Sequence, residues 1–326
     1  MNLNDMPKVE LHLHLEGAAP PEFIRRLAQE KHVDVSGVFD DEGNYSYDGF
    51  VDFLRVYEGA TEVLKTPEDY QRLTLAVLEQ SAANGVIYTE AFLSPDFCGG
   101  RDVGAWREYL HAMQEAADIA QAQHGIIMRG IVTPIRHFGP DKAKETALCA
   151  VETAGDWIVG LGIGGDEGVG KPADFAYAFD MAREAGLRLT AHAGEFGGAQ
   201  SVRDAVNDLK VERIGHGVRA IEDMALVEEL AARGIVLEVC PGSNIALDLY
   251  PDWVSHPIAR LRGAGVKVTI STDDPPFFHT TMNNEYNNLA QAFAWDIDVF
   301  KEINITAANA AFCDVTTRNA LLTKLE

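Results

Sequence analysis

Cysteine is scarce in this chain and widely scattered. Only Cys98, Cys149, Cys240 and Cys313 occur in 326 residues, with no CxxC pair. That argues against a disulfide framework and a cysteine zinc site, and leaves buried thiols. Basic residues are also few: 27 Lys and Arg stand against 50 Asp and Glu, a formal net charge of -23. Nucleic acids and anionic membrane surfaces recruit Lys and Arg, so neither a nucleic-acid partner nor a membrane partner is expected. Long apolar runs are missing too. Nothing approaches the roughly 18 residues of a membrane span, and Met1 to Glu10 lacks the apolar centre of a signal peptide, so a cytoplasmic location is expected. Linkers, low-complexity tracts and evident repeats are absent. What remains is the composition of a soluble globular protein, 47% hydrophobic and 24% charged, which residues 1–326 can build as one large α/β barrel domain.

Eight apolar, β-rich segments punctuate the chain: Val9 to Leu15, Val86 to Leu93, Ile126 to Thr133, Trp157 to Gly162, Leu187 to His192, Arg213 to His216, Ile235 to Val239 and Val266 to Ile270. Helical periodicity lies between them, as in Val103 to Gln123, Pro172 to Ala185, Ala199 to Leu209 and Ile221 to Arg233. Eight β/α alternations predict a closed (β/α)8 TIM barrel, with extra helices after strand 1 (about Ala18 to Ser81) and at the C-terminus after Phe278. Periodicity fixes the alternation but not closure, so a doubly wound open sheet is the alternative.

Chemically capable residues cluster at the C-terminal ends of these segments, where barrel enzymes build their sites. Strand alternation in Val9-Glu10-Leu11-His12-Leu13-His14-Leu15-Glu16-Gly17 predicts Glu10, His12, His14 and Glu16 on one face and the apolar residues on the other. Alone, HxH fits an ordinary polar face as well as a metal site. Thr190-Ala191-His192-Ala193-Gly194-Glu195 closes the fifth segment, Arg213-Ile214-Gly215-His216-Gly217 the sixth, and Ser271-Thr272-Asp273-Asp274-Pro275-Pro276 follows the eighth. Three imidazoles and a carboxylate meeting at one mouth make the nitrogen and oxygen donor set that Zn²⁺ favours. Zinc would lower the pKa of a coordinated water to about 7. Glu195 could then donate or accept a proton, and His216 could hold or deprotonate the water; spacing alone does not separate these roles.

The motifs Lys8 to Gly17, Gly165-Asp166-Glu167, Thr190 to Glu195, Ile214 to Gly217, Cys240-Pro241-Gly242-Ser243-Asn244 and Ser271 to Pro275 stand in an order and spacing that resembles the adenosine deaminase family of metal-dependent amidohydrolases, across nearly everything from Pro7 to Leu322. The resemblance implies one Zn²⁺ per chain on His12, His14, His192 and Asp273, and water attacking carbon 6 of a purine. It implies that Glu195 protonates N1, His216 orients and activates the water, Asp274 bonds N7 and the Gly165 N–H meets N3. His14 and Glu16 are expected at the substrate as well. No lysine ends the fourth segment, where relatives with two metals usually place a bridging one, so a mononuclear site is expected.

Glu16 departs from the aspartate that most adenosine deaminases carry, and resembles adenine deaminases. Gly165-Asp166-Glu167, and the glycine before His216, resemble the adenosine enzymes instead. The expected substrates are adenosine and 2′-deoxyadenosine, with adenine or another 6-aminopurine as the alternative. Phe50, Phe53, Leu54 and Tyr57 have helix-like spacing, suited to a lid over the ligand or to a stripe packed on the barrel. A dinucleotide reading of Gly160-Leu161-Gly162-Ile163-Gly164-Gly165 fails because Asp166 and Glu167 follow, and no helix opens at the glycines. A non-catalytic barrel that merely binds zinc or a purine would not need Glu195 beside the metal set. Oligomeric state stays open.

Overall fold

The computed structural model describes residues 2–326. Its strands are β1 (Lys8–His14), β2 (Val86–Leu93), β3 (Ile127–Val132), β4 (Ile158–Leu161), β5 (Arg188–Ala193), β6 (Arg213–His216), β7 (Val236–Val239) and β8 (Lys267–Ile270), paired in sequential order and in parallel. Each lies within one residue of its sequence-derived limits at either end. Parallel neighbours need a crossover connection, and helices supply it. The seam lies just past β8: Leu13 and Asp273 form a parallel bridge, the Asp273 N–H donating to the His12 carbonyl (3.1 Å) and the His14 N–H to the Asp273 carbonyl (3.0 Å). First and last strands would not meet in an open sheet, so the fold is a TIM barrel.

Helix limits shift where side chains cap them. The helix sought over Ile221 to Arg233 starts at Met224, because the Asp223 carboxylate accepts from the Ala225 and Leu226 N–H groups. After β1 come helices Pro21–Lys31, Gly49–Thr61 and Pro67–Ala83, and the tail adds Met282–Phe293, Ile297–Ala310 and Val315–Leu325. The four cysteines are free and buried. Among the described residues no helix is long and apolar enough to cross a membrane.

One face assignment needs correcting. Glu10 pairs with Thr89 and Leu13 with Ala91, so three steps in β1 oppose two in β2. The extra residue is a bulge, and it reverses the alternation midway. Val9 and Leu11 pack with Tyr88 and Ala311, whereas Leu13 and Leu15 join the main core. Glu10 consequently parts from His12: it accepts from the N–H (3.0 Å) and hydroxyl (2.6 Å) of Thr272, while His12 turns to Glu238 at 2.9 Å.

The floor of the barrel is polar as well. Arg213 reaches Glu90 at 2.7 Å and Glu238 at 2.6 Å, with Phe312 from the C-terminal tail stacked on its guanidinium at 3.6 Å. All three charged groups are buried, and the cation sits between the two anions.

Candidate metal centre and pocket

Above that floor, donor atoms of His12, His14, His192 and Asp273 all lie within 4.8 Å of one another. His14 Nε2 is 3.1 Å from His192 Nε2, and Asp273 Oδ1 is 3.2 Å from His14 Nε2 and 3.3 Å from His12 Nε2. Two imidazole nitrogens and a carboxylate oxygen this close can share one cation. The donor orientation fits a metal. His12 gives its Nδ1–H to Glu238, which leaves the Nε2 lone pair facing the centre, and Nε2 is buried with no hydrogen-bond partner. A carboxylate behind a ligating histidine fixes its tautomer and raises its basicity in this way. Burial opposes a charge on His12, but the Asp273 and Glu238 carboxylates beside it raise its pKa to about 9, so without an ion a proton takes the place at Nε2 that a metal would displace. Burial lowers the pKa of His14 and, with the neighbouring imidazoles, holds His192 well below its usual value. The two lowered values favour neutral His14 and His192 rings, the form that can donate a lone pair.

Cys240 was missed as a neighbour of this cluster: with His12, His216 and Asp273 it forms a second overlapping donor set. Burial pushes its thiol well above the ordinary range, and it points at the Glu238 carbonyl (3.7 Å), so the four-residue histidine and aspartate set is the better cation site.

His216 sits 3.7 Å from both Glu195 and Asp273. A chain of hydrogen bonds sets its tautomer. The Ile258 N–H donates to His256 Nδ1 (3.3 Å), so the other His256 nitrogen carries the proton and donates to Asn244 Oδ1 (3.2 Å). The Asn244 amide then donates to His216 Nδ1 (3.2 Å), and the His216 proton resides on Nε2, facing Glu195 and Asp273. Burial lowers the His216 pKa to about 4, which keeps the ring neutral. Of the two roles left open for it, a ring donating from Nε2 suits holding an oxygen rather than deprotonating it.

Burial, then Asp273 and Glu167, push Glu195 well above the usual carboxylate range. Asp274 is shifted the same way by burial, Asp273 and Glu195, and its Oδ1 is buried without a partner. Both shifts favour the protonated, hydrogen-donating form. Gly17 explains itself here, since a Cβ would lie 1.6 Å from Asp274 Oδ1.

The cavity over this cluster is lined by His14, His192, Glu195, His216, Asp273, Asp274 and Gly165. Gly165 has φ +90°, and a Cβ would meet His137 Nδ1 at 2.8 Å. Phe50, Phe53, Leu54 and Tyr57 of helix Gly49–Thr61 also line the cavity, and Phe50 reaches Phe196 across it with ring centroids 4.1 Å apart, so the apolar stripe roofs the site. Glu16 is absent from the lining. Its carboxylate accepts from the Tyr70 hydroxyl (3.0 Å) and from Tyr57, and burial raises its pKa to about 7. Sequence reasoning missed Glu238 and His256, and it held Ser243 and Asn244 within a motif without giving them a task, although the Ser243 hydroxyl donates to Asp273 (2.7 Å); Glu238 had a signal, a lone acid inside apolar β7. It missed Glu58 and His137 too, paired at 3.3 Å on the cavity wall.

The model of the family described as adenosine deaminase matches residues 7–326. The chain belongs to the adenosine deaminase family. Within it the chain is 48% identical over 321 residues to a protein named adenine deaminase from Rhizobium leguminosarum bv. trifolii, covering 98% of this chain and 99% of the relative. It is 46% identical to an adenine deaminase from Agrobacterium fabrum, covering 98% and 97%. The crystal structure of adenine deaminase from Arthrobacter aurescens superposes with a TM-score of 0.90 at 29% identity, over 98% of both chains. An amidohydrolase from Burkholderia ambifaria, with bound Zn, superposes with a TM-score of 0.89 at 28% identity, covering 99% of this chain and 90% of that one. Members of this family are metal-dependent amidohydrolases. The chain is a hydrolase of carbon–nitrogen bonds in cyclic amidines.

Proposed function

We propose that this protein deaminates adenine hydrolytically to hypoxanthine and ammonia. The observation that carries the reading is identity of 46 to 48%, over almost the full length, to enzymes named adenine deaminase. It displaces the first expectation, adenosine and 2′-deoxyadenosine, in favour of the free base. Glu16 supports the change: its carboxylate is engaged by Tyr70 and Tyr57 rather than free for a sugar hydroxyl.

His12, His14, His192 and Asp273 would hold one divalent ion, read as Zn²⁺ from the donor set and from the relative with bound Zn. When bound, that ion supplies the Lewis acidity that makes water a nucleophile at neutral pH. Glu195 holds a proton and passes it to N1, so carbon 6 becomes electrophilic as the oxygen adds. His216, neutral and protonated on Nε2, donates to that oxygen and orients it. Asp274 keeps its own proton and donates to N7, which accepts in the 9H tautomer of adenine. The Gly165 N–H takes N3. The roof of Phe50, Phe53, Leu54 and Tyr57 excludes bulk water from the ring. One water is consumed: one of its protons replaces the proton Glu195 gave to N1, the other passes to the 6-amino group as the carbon–nitrogen bond breaks, ammonia leaves and the oxygen stays as the 6-oxo group.

Ammonia release from zinc-loaded protein, offered adenine, adenosine, 2′-deoxyadenosine and cytidine in parallel, tests the reading. Adenine should have the highest kcat/KM; preference for a nucleoside would restore the first expectation, and turnover of cytidine alone would refute the purine class.

A further inference from the structure

Glu167 has no part in the chemistry above, yet it is the most heavily hydrogen-bonded carboxylate near the cavity. Its Oε1 accepts from the Gly194 N–H (2.6 Å) and the Ser201 hydroxyl, and its Oε2 accepts from the N–H groups of Glu195 (3.0 Å), Phe196 (2.9 Å) and Gly197 (2.8 Å). Four consecutive backbone donors point at one buried side chain from the next β/α loop. Such a concave run of N–H groups is an anion-binding nest, filled here by the protein's own carboxylate. The fit is close: a Cβ on Gly197 would lie 2.5 Å from Glu167 Oε1, and Gly194 takes φ +70° to turn its N–H inward. Arg136, also buried, supplies the counter-charge and ties the two loops by donating to the carbonyls of His192 (3.1 Å) and Glu167 (3.5 Å).

The segment so anchored carries Glu195 at its centre and Phe196, which meets the roof residue Phe50. A loop of Gly194, Glu195, Phe196 and Gly197 has little stiffness of its own, and displacement of a proton donor by about 1 Å can cost on the order of 10²-fold in rate. We infer that Glu167 is a positioning residue, an internal anion that locks the loop after β5 so that the Glu195 carboxyl stays over the reacting ring. This rests on the proton-donor role given to Glu195 above.

The test is a cycle built on Glu167→Gln and Glu195→Gln in the metal-loaded enzyme. Glutamine preserves shape but sets an NH2 group against backbone N–H donors whichever way the amide is turned. Glu167→Gln should lower kcat for adenine by about 10²-fold, with KM changed less than about threefold and metal content unaltered. Because the effect passes through Glu195, the double variant should be no slower than Glu195→Gln alone, within about threefold. Ser201→Ala, which removes one donor of five, should cost little. If the two losses multiply in the double variant, or if Glu167→Gln keeps wild-type kcat, the inference is wrong. Were Glu195→Gln itself fully active, the proton-donor role would fall instead, a distinguishable result. Should Glu167→Gln fail to fold, Glu167→Asp enters the same cycle: it retains the charge, should lose less kcat, and must show the same non-additivity.

Discussion

The floor and the mouth of this barrel are both polar and both buried, but they are built on opposite principles. On the floor, Arg213 lies between Glu90 and Glu238, so the region carries its own cation. At the mouth, Glu195, Asp273 and Asp274 line one cavity with no Lys or Arg among its lining residues. Buried carboxylates without a counter-ion are expensive, and the mouth answers with raised pKa values on Glu195 and Asp274 and a cluster of imidazoles around Asp273. A network holding its own cation rigidifies; one short of a cation is shaped to receive something. Glu238 belongs to both, with Oε1 on Arg213 and Oε2 on His12, and it transmits the rigidity of the floor to the metal cluster.

Four substitutions probe this contrast, taken from the largest expected effect to the smallest. His14→Ala removes a mouth ligand: turnover should drop to background and bound metal should fall below one per chain by elemental analysis, with the far-UV circular dichroism of the apo-protein retained. Arg213→Met attacks the floor. It strands two buried carboxylates and should cost about 3–5 kcal/mol by urea unfolding. If it proved neutral in stability, the floor would not be a structural network. Asn244→Leu breaks the relay that fixes the His216 tautomer, and kcat should fall about 10 to 100-fold with metal content kept, as is typical when the partner of a working imidazole is lost. An unchanged kcat would show that the tautomer is set otherwise.

The smallest effect is a pH dependence. Glu285 lies buried behind the mouth, accepting from the Gly242 N–H (3.0 Å) and the Thr280 hydroxyl (2.6 Å), and burial raises its pKa to about 8. The folded protein therefore keeps a proton that the unfolded chain releases near pH 4.5, so the stability Glu285 contributes is full below that pH and is lost as pH rises towards about 8. Urea midpoints of wild type minus Glu285→Gln should be more positive at about pH 5.5 than at about pH 8. A pH-independent difference would mean that Glu285 ionises normally.

The strands were legible because barrel strands buried on both faces are short apolar runs ended by glycine or polar residues, and a period of two needs no long-range information. The convergence of His12, His14, His192 and Asp273 was legible for a related reason: they stand at or just beyond strand ends, and topology alone brings strand ends together. The bulge in β1 was not, because an extra residue leaves no mark on composition, and it misassigned the face of Glu10. Nor were the supporting residues. Asn244 stood within a motif and His256 within none, and both act only through partners elsewhere in the chain, so neither had an assignable task. Glu167 was visible within a motif but had no assignable task until its partners could be seen.

Asp273 has a double employment. The side chain that would grip the metal belongs to the residue whose main chain stitches the segment just past β8 to β1. Ligand capture and ring closure are thus one mechanical event, so stripping the ion should slacken the cylinder along that suture. Amide hydrogen exchange after chelation should accelerate first at His14 and Asp273, ahead of the opposite wall.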